Sequence, residues 1–246
     1  MLKLKIVTLT LVPALLIQGY RVKKNTLRLS EPQGIRQGTM GKGKPLSILI
    51  LGDSAAAGVG VEHQQDALLG SLLHELKQDF EISYQLEAKT GDTTVQVLER
   101  TQLLEKQHFD VVISSVGVND VTKLTAPKKW IQLQQQFYTE IENKFSPQLI
   151  LVTSVPPMDL FPALPNPLGW LFGQYSSAMN QKLANFIQNK PLQQEATRYQ
   201  LIQFDLAHFK ALNLQMAKDG FHPSKEIYQI WAGEIANKIK IFSENS

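Results

Sequence analysis

The sequence contains no cysteine among its 246 residues. That excludes disulfides, a thiol nucleophile and thiolate metal sites, so any nucleophile must be oxygen or nitrogen. A long hydrophobic span is also missing. The apolar run Ile6 to Ile17 covers twelve residues, about 18 Å as a helix against a hydrocarbon core of roughly 30 Å. Charge of one sign is scarce too, with 25 Lys and Arg against 22 Asp and Glu, and the basic residues are dispersed except near the N-terminus. No stripe suited to DNA or RNA results, and no nucleic-acid partner is expected. There is no H-x-x-x-H pattern or clustered carboxylates at ligand spacing, so neither a metal nor a cofactor is expected.

What is present is a chain 43% hydrophobic and 19% charged, the balance of one globular α/β domain with a short extension. Residues 1–28 form the extension: Lys3 and Lys5, the apolar run, then a collar of Arg21, Lys23, Lys24 and Arg28. Three readings are open for it. They are an uncleaved interfacial anchor meeting anionic head groups, a secretory signal cleaved near Gln18-Gly19-Tyr20, and a helix docked on the domain. The first makes the protein membrane-associated at a bacterial inner-membrane surface of unspecified side; the second exports it. Residues 29–45, rich in Gly, Pro and basic residues, read as a linker. Gly38-x-x-x-x-Gly43-Lys44 imitates a phosphate-binding loop, but Pro45 replaces the required hydroxyl residue and the segment precedes a strand.

The domain itself spans residues 46–246. Apolar runs at Ile48 to Leu51, Ile82 to Leu86, Asp110 to Ser115, Gln148 to Thr153 and Tyr199 to Phe204 read as five strands. Helical patterns separate them: about Asp66 to Gln78, Val95 to Lys106, Pro127 to Lys144 and Gln174 to Gln188, with a last helix capped by Ser224. Alternation of this kind predicts an α/β fold with a five-stranded parallel sheet, helices on both faces and right-handed crossovers. Ser154 to Gly173, with five prolines and many large apolar residues, reads as a stiff apolar loop.

In such a sheet the carboxyl ends of all strands open onto one edge. That edge gathers Ser54 after the first strand, Gly91 after the second, Asn119 after the third, and the segment Asp219 to His222. Ser54 is a candidate nucleophile; taken alone, its stretch reads equally as a tight or phosphate-cradling turn. His222 is suited to act as its base and Asp219 to orient the ring. The N–H groups of Ser54 and Gly91 and the side-chain amide of Asn119 are candidate donors to a tetrahedral oxyanion. The remaining histidines, His63, His74, His108 and His208, lack this context.

Together, the GDS of Gly52 to Ser54, the GDTT of Gly91 to Thr94, the G-x-N-D of Gly117 to Asp120 and the DGFHP of Asp219 to Pro223 resemble the SGNH hydrolase family, also called GDSL esterases/lipases. The resemblance covers about Leu46 to Ile241 and is nearest to bacterial enzymes of the thioesterase/lysophospholipase type. It implies a flavodoxin-like three-layer α/β/α sandwich and serine-dependent hydrolysis of acyl esters or thioesters. By that match Ser54, His222 and Asp219 are the triad, and Ser54, Gly91 and Asn119 the oxyanion hole. Val118 departs from the G-G-N-D of many members, and Ala55 to Val61 is more apolar than usual.

For substrate contacts the sequence points to Asp53 beside the nucleophile and to Phe161 and Leu164 in the proline-rich loop, as the wall for an acyl chain. The expected partner is therefore a small acyl ester. Two other functions use the same residues differently. Carbohydrate O-deacetylation on this fold calls for a polar, open cleft. A non-catalytic flavodoxin-like binding module calls for an anion at the Gly-rich first loop, where Asp53 opposes it and Asp219-x-x-His222 is left without a role.

Overall fold

The computed structural model describes residues 2–190, 197–203 and 215–245. Its strands are β1 (Gln37–Gly41), β2 (Lys44–Gly52), β3 (Phe80–Ala88), β4 (Val111–Ser115), β5 (Leu149–Thr153) and β6 (Arg198–Ile202). They form one sheet in the order β1-β3-β2-β4-β5-β6. β2 to β6 are parallel, as expected of the five apolar runs. The count of five is corrected to six, because Gln37–Gly41, within the stretch read as a linker, pairs antiparallel with β3. Its sequence, QGTMG, shows no apolar alternation because this short edge strand is mostly exposed and takes its order from β3's hydrogen bonds. Phe204, expected to end the last strand, lies outside the described residues, as does His208.

β2 is buried on both faces, and its side chains divide the core by alternation. Ile48 and Ile50 join Val111, Ile113 and Leu151 on one face, under α3 (Leu68–Leu76) and α8 (Lys225–Glu244). Leu49 and Leu51 join Val112, Ile150 and Val152 on the other, under α6 (Pro127–Phe145) and α7 (Leu168–Gln188). This is the three-layer α/β/α arrangement. α4 (Thr94–Leu103) follows β3, and the one-turn helices α2 (Ser54–Ala57) and α5 (Val118–Thr122) open the segments after β2 and β4. α7 begins at Leu168, so Trp170 to Gly173 are helical and the apolar loop ends at Pro167. Proline at 167 stops the preceding coil without preventing a helix from starting there.

Residues 2–25 form one helix, α1 (Leu2–Asn25), which carries most of the basic collar as well as the apolar run. Leu15 and Val22 pack against the α6–α7 side of the core. Among the described residues no helix is long and apolar enough to cross a membrane.

At the amino-terminal edge of the sheet, away from Ser54, Asp110 joins three strands. Its Oδ2 accepts from the N–H (2.7 Å) and hydroxyl (2.6 Å) of Ser47, and its Oδ1 meets Gln148 (3.3 Å) and His108 (3.2 Å). Burial acts to raise this carboxyl's pKa, but the Ser47 and His108 hydrogen bonds outweigh it and hold it below the ordinary value. Asp110→Ala is expected to lower unfolding free energy in urea by about 1.5–3 kcal/mol, with ester hydrolysis by the folded enzyme unchanged. The loss should shrink as pH falls through the carboxyl's folded pKa, because protonation removes the same charge-assisted bonds from the parent.

Candidate active site

Ser54 follows directly on the buried end of β2. Asp53 is the N-cap of α2, its Oδ1 accepting from the Ala55 N–H at 3.1 Å while its own N–H donates to the Ser115 carbonyl on β4 at 3.1 Å. The turn is therefore fastened both to its own helix and to the neighbouring strand. Ser54 is held on this scaffold and lines a cavity. Farther along, Gly60 (φ 119°) lets the segment after α2 lie against the histidine loop: a Cβ there would sit 2.2 Å from the Pro223 carbonyl.

His222 arrives from 168 residues away, and its Nε2 lies 2.9 Å from Ser54 Oγ. Its Nδ1 lies 2.5 Å from Asp219 Oδ2. Asp219 Oδ1 accepts from the N–H groups of Phe221 (2.9 Å) and His222 (3.0 Å), so this carboxylate shapes the turn that presents the ring. Burial raises the Asp219 pKa, but the His222 ring and the two N–H donors outweigh it and leave the carboxyl below its ordinary value. An ionised acceptor on Nδ1 leaves Nε2 free to take a proton from the hydroxyl.

The turn after β3 and the helix after β4 flank β2's end on either side. They meet through Asn119, whose Nδ2 donates to the Asp92 carbonyl at 2.9 Å. Asp92 is paired with Arg100, and Asp120 accepts from the N–H and hydroxyl of Thr94, both at 2.9 Å. Among the described residues no acceptor meets the N–H of Ser54 or of Gly91. Gly91 has φ 87°, yet an added Cβ would meet nothing within 4 Å, so the conformation, not crowding, calls for glycine there.

The cavity beside Ser54 and His222 measures about 450 Å³. Val155, Pro156, Pro157, Leu160, Phe161 and Pro162 supply one wall, and Met216, Phe221, Ile227 and Trp231 another. Of the predicted contacts, Phe161 lies in this wall, edge-on to Phe221 at 5.1 Å between centroids. Leu164 does not: it is turned into the α6–α7 core, because Leu164 closes the turn that starts at Phe161. Gly91 and Asn119 are not part of the cavity wall either. Sequence reading missed Ile227 and Trp231, whose spacing is that of a core-facing helix stripe; both cover the core and line the cavity. Among the described residues no group of three or more His, Asp or Glu could hold a metal ion.

Asp53 also lines the cavity, but it is 2% exposed, and its Oδ2 has no hydrogen-bond partner among the described residues. Burial pushes its carboxyl up to about 7, against the Ala55 and Gly117 N–H groups and the His222 ring. The folded state then holds a proton that the unfolded chain releases near pH 4, so the stability this carboxyl confers falls as pH rises from about 4 to about 7. Asp53→Asn keeps the capping oxygen and removes the titration. Its melting temperature relative to the parent should rise between about pH 4.5 and about pH 8, read by thermal unfolding at both values.

A family model described as the GDSL-like lipase/acylhydrolase family matches residues 50–230. No curated protein matches the chain. Solved structures do match in fold. A psychrotrophic esterase, EstA, from Pseudoalteromonas sp., in a structure inhibited by monoethylphosphonate, is 19% identical, with 80% of this chain and 98% of that one covered and a TM-score of 0.57. TesA is 19% identical, with 79% and 98% covered and a TM-score of 0.59. A carbohydrate esterase of family 3 from Talaromyces cellulolyticus is 14% identical, with 82% and 99% covered and a TM-score of 0.59. The match to the family model runs from the strand before Ser54 to the helix after His222, and the chain belongs to the GDSL-like lipase/acylhydrolase family.

Proposed function

We propose that this acylhydrolase cleaves carboxylic esters or thioesters of apolar acyl chains through an acyl-enzyme on Ser54. The observation that carries the reading is the unbroken chain from Ser54 Oγ to His222 Nε2 (2.9 Å) and from His222 Nδ1 to Asp219 (2.5 Å). His222 takes the hydroxyl proton as Oγ attacks the carbonyl carbon, and the carbonyl electron pair moves onto oxygen. The N–H groups of Ser54 and Gly91 and the Asn119 amide receive that oxyanion; Asn119 has one amide hydrogen committed to Asp92 and a second to offer. Collapse expels the alcohol or thiol, which leaves with the proton from His222. Water then repeats the sequence, giving up a proton to His222 as it attacks, and the acid is released with Ser54 restored. Asp219 remains ionised and stabilises the imidazolium throughout.

The apolar cavity wall supports an acyl chain over a sugar, which needs a polar cleft. Burying each methylene contributes on the order of 0.8 kcal/mol, so kcat/KM should rise roughly fourfold per methylene until the cavity is filled. Labelling with a fluorophosphonate probe and hydrolysis of p-nitrophenyl esters of graded length test both parts. The parent should label and Ser54→Ala should not, with activity lower by at least about 10³-fold. Leu160→Ala should flatten the rise with length while acetate ester hydrolysis stays near the parent value. A labelled Ser54→Ala protein sinks the mechanism; equal losses on acetate and octanoate esters sink the acyl wall.

A further inference from the structure

Among the described residues nothing covers the outer side of α1, which is apolar between Val12 and Tyr20. Leu11, Leu15, Gln18, Gly19 and Val22 face the domain, at the spacing of one helix face. The opposite side carries Val12, Leu16, Ile17 and Tyr20, with Leu16 69% and Tyr20 67% exposed. A helix apolar all round requires cover on both sides. The first thirty residues include six Lys or Arg and no Asp or Glu, so a second copy of this helix would set like charges together, whereas an anionic bilayer surface complements them. We infer that the outer face of α1 lies in the interface of an anionic lipid bilayer, and that it carries the mouth of the acyl cavity with it. Resting on the reading of the site given above, this makes the substrate an acyl ester resident in that bilayer.

The link to the cavity is Gln18. Its Nε2 donates to the Asn166 carbonyl (2.6 Å) and its Oε1 accepts from the Leu168 N–H (3.0 Å), which ties α1 to the start of α7 and the end of the apolar loop. Leu11 shares a hollow with Asp159, Asn166, Pro167 and Trp170, next to Leu160, which is 40% exposed and lines the cavity. The helix is thus docked on the loop that forms the cavity wall. Its apolar run is too short to cross, which suits an interfacial position with the collar at head-group level.

The test uses the full chain and phosphatidylcholine vesicles with and without phosphatidylglycerol. The parent should co-sediment with the anionic vesicles, release in high salt, and lose at least about tenfold in binding on Leu16→Glu with Ile17→Glu. That variant should hydrolyse a water-soluble acetate ester like the parent but a long-chain ester held in vesicles at least about tenfold more slowly. A parent that stays in the supernatant overturns the inference, and so does a parent dimer that the variant converts to monomer. N-terminal sequencing that finds the cell-made protein starting near Tyr20 does the same. Absence of acetate ester hydrolysis in the parent would count against the site reading alone, since vesicle binding is measured separately.

A different set of contacts carries a second inference: Glu31 is a positioning residue for the oxyanion donors, again on the site reading above. Glu31 Oε1 accepts from both the N–H (2.7 Å) and the hydroxyl (2.8 Å) of Thr90, the residue before Gly91. Its Oε2 accepts from Arg36 (2.7 Å), which also donates to the Ala88 carbonyl (3.1 Å) at the end of β3. The turn is thus gripped by Glu31 on one side and by Asn119, through Asp92, on the other, so a shift of the turn moves Gly91 and re-aims the Asn119 amide. Residue 31 lies outside the family match.

Glu31→Ala should lower kcat about tenfold, a fraction of the 10²–10³ lost with a whole donor, and leave KM within about twofold. Glu31→Gln keeps an acceptor for Thr90 and should recover most of the loss. In an Asn119→Ala background Glu31→Ala should cost less than alone. Unchanged kcat in folded Glu31→Ala, matched losses in kcat and KM, or additivity with Asn119→Ala each overturns the assignment, while fluorophosphonate labelling of the parent reports on Ser54 independently.

Discussion

The site depends on the parallel seating of β2 between β3 and β4. Gly52 lies opposite Ala88 on one side and Ser115 on the other, so three chain segments leave the sheet at the same level. Counted without the antiparallel edge strand, the order is the doubly wound one in which the chain reverses direction between the first and third parallel strands, and a crevice opens there. Ser54 stands at that reversal. The segments after β3 and β4 then have to pass on either side of it, which is why Asn119 can reach the Asp92 carbonyl although the two are 27 residues apart. Backbone pairing delivers three of the groups; only His222 and Asp219 come from outside it, and their loop is brought in with the Pro223 carbonyl against Gly60.

Two carboxylates within this small volume are driven in opposite directions by their surroundings. Asp219 is buried but receives two backbone N–H groups and the imidazole, and it stays ionised. Asp53 is buried more completely, one of its oxygens has no partner among the described residues, and its carboxyl rises to about 7. Burial pushes both carboxyls up; at Asp219 the bond to the His222 ring, added to two backbone N–H donors, outweighs it, and at Asp53 the backbone donors do not.

The parallel strands were legible because a strand buried on both faces must be a continuous apolar run, and Ile48 to Leu51 and Leu149 to Val152 are such runs. Ser54, His222 and Asp219, which the structure brings into one hydrogen-bonded chain, were legible as candidates because strand ends and short motifs coincide. β1 was not, since an exposed edge strand places no demand on side chains. Leu164 illustrates the other limit: apolar residues in a proline-rich loop serve cavity and core alike, and periodicity cannot divide them where no regular element exists. Phe161 faces the cavity while Leu164, one turn on, faces α6 and α7. The same ambiguity hid Ile227 and Trp231, whose helical spacing is equally that of a core stripe and a pocket wall.

The stretch between α1 and β2 shows how little sequence is needed to brace such a site. Residues 29–45 read as a linker because they are rich in glycine, proline and basic residues, yet Gln37–Gly41 closes the sheet edge and Arg36 clasps both Glu31 and the end of β3. An edge strand alone would fix β3 but leave the turn after it free to move, since that turn leaves the sheet at Ala88. Glu31 supplies the missing constraint from outside the sheet, by accepting from the backbone of Thr90 itself. A carboxylate on a short strap does here what a further strand could not, because parallel pairing ends where the active-site turns begin.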